Sequence, residues 1–562
     1  MSFLQDPPQI GNQWREDRAL RRLLARRLPG DVLAAVEPSL DEMGELAAGE
    51  LLALSHESRG VLPEWIPFDA WGRHVDEIRV NAAWRRCREL AAQAGLIATG
   101  YERAHGPHSR LHQFALVYLF APSSQVYTCP LAMSDGAARS LETLANAELR
   151  GAVLPRLLAR DPARVWTSGQ WMTERTGGSD VGISETVARR TPEGWSLHGV
   201  KWFTSAVTSE VALTLARPEG NGPGGKGLAL FLVYTRDAQG RPNRLKVLRL
   251  KDKLGTRSVP TAELELDGTP ASLVSRPSDG VRDMAAMLNL TRTWNAVCSA
   301  ASLRRGLALA RDYARRRVAF GAPLSEKPLH LETLAALAAE QEAALQLTFH
   351  AVALLGREET GELDEAGQAV LRLLQPVAKL LTARQAVAGA SEVLEAFGGA
   401  GYVEDTGLPE ILRDAQVLSI WEGTTNVLSL EAFRAVARAG ALAPFAADVR
   451  ARAGAARAAV LREPAQRARE AIDHAAQWWA AGSARGAAAS EAGAREFAFT
   501  LGRALALALL VEQAQWDLDR DGDGRTAEAA RRFAQAGVDR LRDEPGDAAA
   551  TARLALDEPL AG

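Results

Sequence analysis

The sequence predicts an α+β protein in four successive parts: an N-terminal helical domain over 1–165, a central β domain of barrel or sandwich form over 166–275, a helical bundle over 276–437 and an extra C-terminal helical region over 438–562. Three observations predict it. Apolar residues recur at helical spacing as far as about residue 165. From about Val165 to Val274 the pattern changes to short β-type runs separated by Gly, Pro and Asp. From Gly280 helical spacing returns, broken once around Gly440–Pro444.

In the first part, Arg15–Arg27 places Leu20, Leu23 and Leu24 on one helical face, and Asp41–Leu54 does the same with Met43, Leu46 and Leu51. The β domain is read from Trp195–His198, Val211–Leu215, Leu228–Tyr234, Leu245–Leu250 and Leu264–Leu266. The bundle is read from four long helical segments: Met284–Arg317, Leu331–Leu355, Ala366–Phe397 and Leu408–Ala439. The last region is rich in Ala and Arg, and no repeat of 20–50 residues points to a solenoid.

Composition narrows the function classes. A chain that is 47% hydrophobic and 24% charged is globular and not wholly disordered. A net charge of -3 excludes a global polycation, so only a local basic patch could serve nucleic acid. Cys87, Cys129 and Cys298 lie far apart, encoding neither a disulfide framework nor a zinc cage. The start lacks a basic stretch followed by an apolar core, and the longest segment free of Asp, Glu, Lys and Arg, Leu111–Ser134, contains Pro122 and Pro130. The expectation is a soluble cytoplasmic protein.

Two superficial motifs are discounted, and a third, more specific one is left open. Gly220, Gly222 and Gly225 fit G-x-G-x-x-G, but a strand-like run follows where a dinucleotide site needs a helix, so a hairpin loop is expected. His105, His108 and His112 cluster without cysteine or glutamate partners, and no metal is expected there. Asp517, Asp519, Asp521, Gly522 and Glu528 fit a calcium loop, against the alternative of an acidic turn between two helices.

Four other motifs stand in order across 250 residues: QWMTERTGGSDVG (170–182), KWFTS (201–205), RRVAFGAPL (316–324) and GGAGYVEDTGLPEILRDAQVLSIWEGTTN (398–426). Together they resemble the acyl-CoA dehydrogenase superfamily of flavoproteins. MTERTGGSDV, GVKWFTS, LKDKLGTRS (250–258) and SIWEGTTN resemble its AidB-like, adaptive-response branch. The resemblance implies the acyl-CoA dehydrogenase fold and FAD as cofactor, and it assigns roles along the chain. Met172, Thr173, Gly178 and Ser179 match residues along the flavin pyrimidine edge and pyrophosphate, where hydroxyls and close backbone amides are needed. Trp202, Phe203 and Thr204 match the segment beside the dimethylbenzene ring and N5. One residue is missing before Trp202 relative to the common dehydrogenase pattern.

Arg317, Phe320 and Gly399 match residues reaching the FAD of a neighbouring subunit; a planar guanidinium suits a diphosphate. This implies an obligate oligomer, a tetramer of paired dimers. Pro328 and Glu395 stand where many relatives have glutamine, and Glu410 where Lys or Arg is common. Thr424 and Asn426 match residues touching the cofactor. Glu422 falls at the catalytic base, with Arg292 near it: a carboxylate takes the α-proton of a thioester while hydride passes to flavin N5. Trp421, with Trp202 and Phe203, is expected to narrow the acyl pocket toward short or branched chains.

Two functions are therefore expected from different classes. The first is FAD-dependent α,β-dehydrogenation of an acyl-CoA thioester, with electrons passing to an external acceptor such as an electron-transfer flavoprotein. The alternative is an AidB-like flavoprotein that mainly binds duplex DNA in the response to alkylation damage, with weak dehydrogenase activity. Residues 436–562 hold 17 Arg against 18 acidic residues, but 438–469 alone carries a local +5, so DNA would bind there.

Overall fold

The computed structural model describes residues 6–482, 486–543 and 547–560. Its N-terminal part packs helices Arg18–Arg27, Gly30–Ala48, Ser109–Phe120 and Thr128–Leu144 around a core that contains Leu20, Leu23, Leu24, Met43 and Leu51. One feature adds to the mainly helical reading of 1–165: an antiparallel hairpin of β1 (Glu64–Phe68) and β2 (His74–Arg79). Tertiary contacts hold it. Asp76 Oδ2 accepts from Val247 N at 2.8 Å, and Arg236 donates to the carbonyls of Val75 and Asp76. A hairpin held this way need show no regular alternation of its own.

The β domain contains β3 (Ser168–Trp171), β4 (Val187–Thr191), β5 (Gly194–Ser205), β6 (Val211–Pro218), β7 (Ala229–Tyr234), β8 (Leu245–Leu250) and β9 (Thr261–Leu273). Strands β6, β4, β5, β9 and β7 pair in that order, and β7 pairs back onto β6, which closes a barrel. Strands β3 and β4 are too short and mixed to show in the periodicity; both pair parallel to β6. The unbroken apolar runs of β6 and β7 have a direct cause. Val211, Leu213, Leu215, Leu230 and Leu232 face helices Thr128–Leu144 and Ala147–Leu157, while Ala212, Ala216, Phe231 and Val233 fill the barrel. The loop holding Gly220, Gly222 and Gly225 joins these two antiparallel strands.

The bundle contains helices Ala285–Arg316, Pro328–Glu359 and Glu365–Ala396. Its fourth expected segment, Leu408–Ala439, is instead two helices, Leu408–Leu418 and Thr425–Ala439. Glu422 (φ 57°) and Gly423 (φ 105°) break it with consecutive left-handed residues. A side chain at Gly423 would place its Cβ 2.8 Å from Leu428 Cδ2. Helical spacing on both sides conceals the break.

In the C-terminal region helix Ala494–Asp521 is long and apolar enough to cross a membrane, yet 89% of its most apolar stretch is buried inside the protein. It packs on helices Pro328–Glu359 and Glu365–Ala396 through a shared core including Leu347, Leu374, Leu501 and Leu505. The calcium-like carboxylates lie at its end and are answered by protein donors. Asp517, fully buried, accepts from Arg22 and Thr526; Asp519 pairs with Arg457, Asp521 with Arg22 and Asp523 with Arg18. Among the described residues no cluster of three metal-ligating side chains occurs. His112 lies 2.8 Å from the Ser39 hydroxyl, and burial pushes its pKa down to about 4.

Candidate active site

The break between the two helices aims Glu422 sideways out of the helical path, half-buried. The Thr291 hydroxyl donates to its Oε2 at 2.6 Å. Arg292 Nε donates to the Glu422 carbonyl at 3.2 Å, and the rest of that guanidinium is held by Glu431 at 2.6 and 2.7 Å. Lys379 Nζ donates to the next carbonyl, that of Gly423, at 2.6 Å. Thr424 restarts the helix as its N-cap, accepting from Val427 N. Asn426, expected beside the cofactor, accepts from Arg495 of the C-terminal region at 3.2 Å.

The Thr173–Ser179 loop leaves β3 and is anchored from inside the barrel. Glu174 accepts from Lys201 Nζ at 2.6 Å, from the Thr186 hydroxyl at 2.6 Å and from Glu185 N at 2.6 Å. Lys201 is 0% exposed and also donates to the Leu215 carbonyl. Burial opposes charge on both groups. At Glu174, Lys201 and the other donors outweigh it and the pKa falls; at Lys201 burial wins and the pKa falls too. This pair was not legible in the motif, since a lysine in a strand reads as a solvated face.

Trp202 N donates to the Thr173 carbonyl at 2.9 Å, tying the two motifs together. A bulge in β5 at Trp202–Phe203 accompanies the short spacing before the tryptophan. The Trp202 ring is 38% exposed and covered on one face by Lys251 Nζ, 3.5 Å from its centroid. Phe203 lies beside it, ring centroids 6.0 Å apart. The Thr204 hydroxyl is buried and donates to the Ala262 carbonyl at 2.7 Å. Its neighbour Ser205, which sequence reasoning did not single out, bonds the Cys129 thiol; burial pushes that thiol up to about 12, and Glu422 acts on it electrostatically.

The residues expected to act across a subunit boundary gather elsewhere. Tyr313 and Phe397 pack with tilted rings, centroids 4.5 Å apart, bringing Arg317, Phe320 and Gly399 to one end of the bundle. Along its helix Arg317 lies roughly 40 Å from Thr291. Phe320 and Tyr402 are 98% and 91% exposed there.

These groups suit a flat, polar-edged cofactor. Met172 is buried behind the loop, and a Cβ at Gly178 would sit 2.8 Å from Thr173 Oγ1, so a side chain there would force Thr173 to shift. The Gln170 Oε1 and Trp421 Nε1 atoms are buried with no partner among the described residues, hydrogen-bonding capacity the chain does not itself use.

Comparison with known proteins decides the family. Residues 169–269 match the acyl-CoA dehydrogenase middle domain and 278–437 its C-terminal domain; 5–162 match the adaptive response protein AidB N-terminal domain. The acyl-CoA dehydrogenase family member 11 of Caenorhabditis elegans is 44% identical over 77% of this chain and 72% of its own length. The chain belongs to the acyl-CoA dehydrogenase family. Residues 440–552 match the acyl-CoA dehydrogenase 11 C-terminal domain-like family. The putative acyl-CoA dehydrogenase AidB of Escherichia coli (strain K12) is 30% identical over 76% of this chain and 78% of its own. The crystal structure of the C. elegans protein ACDH-11 in complex with C11-CoA superposes with a TM-score of 0.96 at 38% identity, covering 99% of this chain and 97% of that one. As an acyl-CoA dehydrogenase of the AidB-like kind, this enzyme takes FAD as cofactor.

Proposed function

We propose that this dehydrogenase oxidises medium-length, straight-chain acyl-CoA thioesters with Glu422 as the base. The observation that carries the base assignment is the Glu422 turn itself. Thr291 fixes one carboxylate oxygen, and Oε1 has no partner among the described residues and is left to take the α-proton. Substrate entry excludes water from that carboxylate, so that it faces the α-proton directly. Thr173, Gly178 and Ser179, with Trp202 and Ser205, would hold the isoalloxazine end of FAD. Bound FAD supplies the hydride acceptor for the β-hydrogen.

The chain-length reading rests on the relative solved with C11-CoA and departs from the narrow pocket expected from Trp421. Trp421 forms part of the wall of a cavity of about 210 Å³, which also meets Thr128, Cys298, Ser302 and Arg305. Undecanoyl-CoA is expected to bleach the flavin faster than butyryl-CoA or isovaleryl-CoA in anaerobic stopped flow. Faster bleaching by either short substrate contradicts this.

Arg317, Phe320 and Gly399 lie too far from Glu422 to serve the same cofactor molecule, which supports a site completed by a second copy of the chain. The protein is expected to purify yellow and as a dimer or tetramer in light scattering; a monomer with full flavin content counts against it. An electron-transfer flavoprotein is the proposed acceptor. No observation favours DNA: Arg450 pairs with Asp473, Arg452 with Asp448 and Glu512, and Arg457 with Asp519.

A further inference from the structure

Lys379 stands in the middle of helix Glu365–Ala396 and is 1% exposed. A buried ammonium is costly unless it is well paired, and among the described residues Lys379 makes no ion pair. Its one hydrogen bond there goes to the Gly423 carbonyl at 2.6 Å. Arg292 holds the preceding carbonyl, that of Glu422. Two cations therefore grip consecutive carbonyls of a turn whose two residues both have positive φ. The grips differ in one respect: the Arg292 charge is answered by Glu431, whereas the carboxylate acting on Lys379 is Glu422.

We infer that Lys379 is a positioning residue for the dehydrogenation: it pins the Glu422–Gly423 turn and so fixes where the carboxylate of the base points. This rests on the assignment of Glu422 above. Burial, opposed by Glu422 and reinforced by Arg292, pulls the Lys379 ammonium down to about 7. The charge is thus present below neutrality and lost above it. Of the other elements packed on this helix, helix Thr425–Ala439 carries Glu431, which is paired with Arg292, helix Pro328–Glu359 brings Glu340 to Gln385 further along, where Arg503 of helix Ala494–Asp521 pairs with it, and Gly502 meets Val377 and Leu381.

The test compares Lys379→Met and Lys379→Gln, both loaded with FAD, in anaerobic reduction by undecanoyl-CoA across pH, with substrate Kd measured separately. Gln keeps a donor for the Gly423 carbonyl but no charge. Lys379→Met is expected to lower the limiting reduction rate about tenfold or more at every pH with little change in Kd. Lys379→Gln is expected to recover much of that rate, because its amide can still donate to the Gly423 carbonyl. A normal rate in the Met variant overturns the inference, as does a loss carried by Kd or an equal loss in both variants. Rates are taken per bound flavin, so a Met variant that holds less FAD is still decided by them. A Glu422→Gln protein that still reduces its flavin would instead overturn the base assignment.

Discussion

Glu422→Gln is expected to leave the protein yellow and to abolish its bleaching by acyl-CoA. The substitution keeps the shape of the side chain, and the amide oxygen still accepts from the Thr291 hydroxyl that holds the carboxylate at 2.6 Å. Arg292 and Lys379 bind the backbone carbonyls of residues 422 and 423, so the left-handed turn keeps both its clamps. What is lost is a base. Removing a general base costs about 10²–10⁴-fold, and more where no water can substitute. Stopped-flow absorbance of the flavin reads the rate directly, while denaturation and flavin release report the cofactor content. A variant that bleaches at the normal rate excludes Glu422 as the base.

Lys201→Met is expected to destabilise the whole β domain and weaken flavin retention. Lys201 and Glu174 are 0% and 3% exposed, so the variant strands a carboxylate inside the barrel. Removing one member of a buried pair costs about 3–5 kcal/mol. The loop Thr173–Ser179 loses its inner anchor at the same time, because Glu174 is its only fully buried charged residue. The pH dependence has a definite sign. Without Lys201, burial raises the Glu174 pKa, so protonation relieves the strain and the deficit shrinks as pH falls. Thermal melts at pH 7 and pH 5 should show the larger loss at pH 7. Adding Glu174→Gln should recover much of it. A Lys201→Met protein that melts with the wild type and retains its flavin contradicts the anchoring role.

Much of this was legible in the chain, for identifiable reasons. The order of helical, β and helical parts follows from the change in apolar period, and the motifs around Thr173, Trp202, Arg317 and Glu422 are local strings. The partners that make those strings work come from distant sequence. Thr291 lies 131 residues from Glu422, Lys201 lies 27 from Glu174, and Lys379 lies 44 from Gly423. No spacing rule links such pairs. The break inside Leu408–Ala439 was hidden because both flanks keep helical spacing, although the Glu-Gly-Thr string at 422–424 is a left-handed turn followed by an N-cap. At β5 the bulge at Trp202–Phe203 leaves Thr204 bonded within the sheet and Ser205 against Cys129, a choice that strand alternation alone cannot make.

The most direct test mixes the purified yellow protein anaerobically with undecanoyl-CoA, following the flavin absorbance and the acyl products together. The account predicts that the flavin bleaches and that one 2-enoyl-CoA forms for each flavin reduced. A flavin that stays oxidised with undecanoyl-CoA, butyryl-CoA and isovaleryl-CoA alike, with no enoyl product, would contradict it.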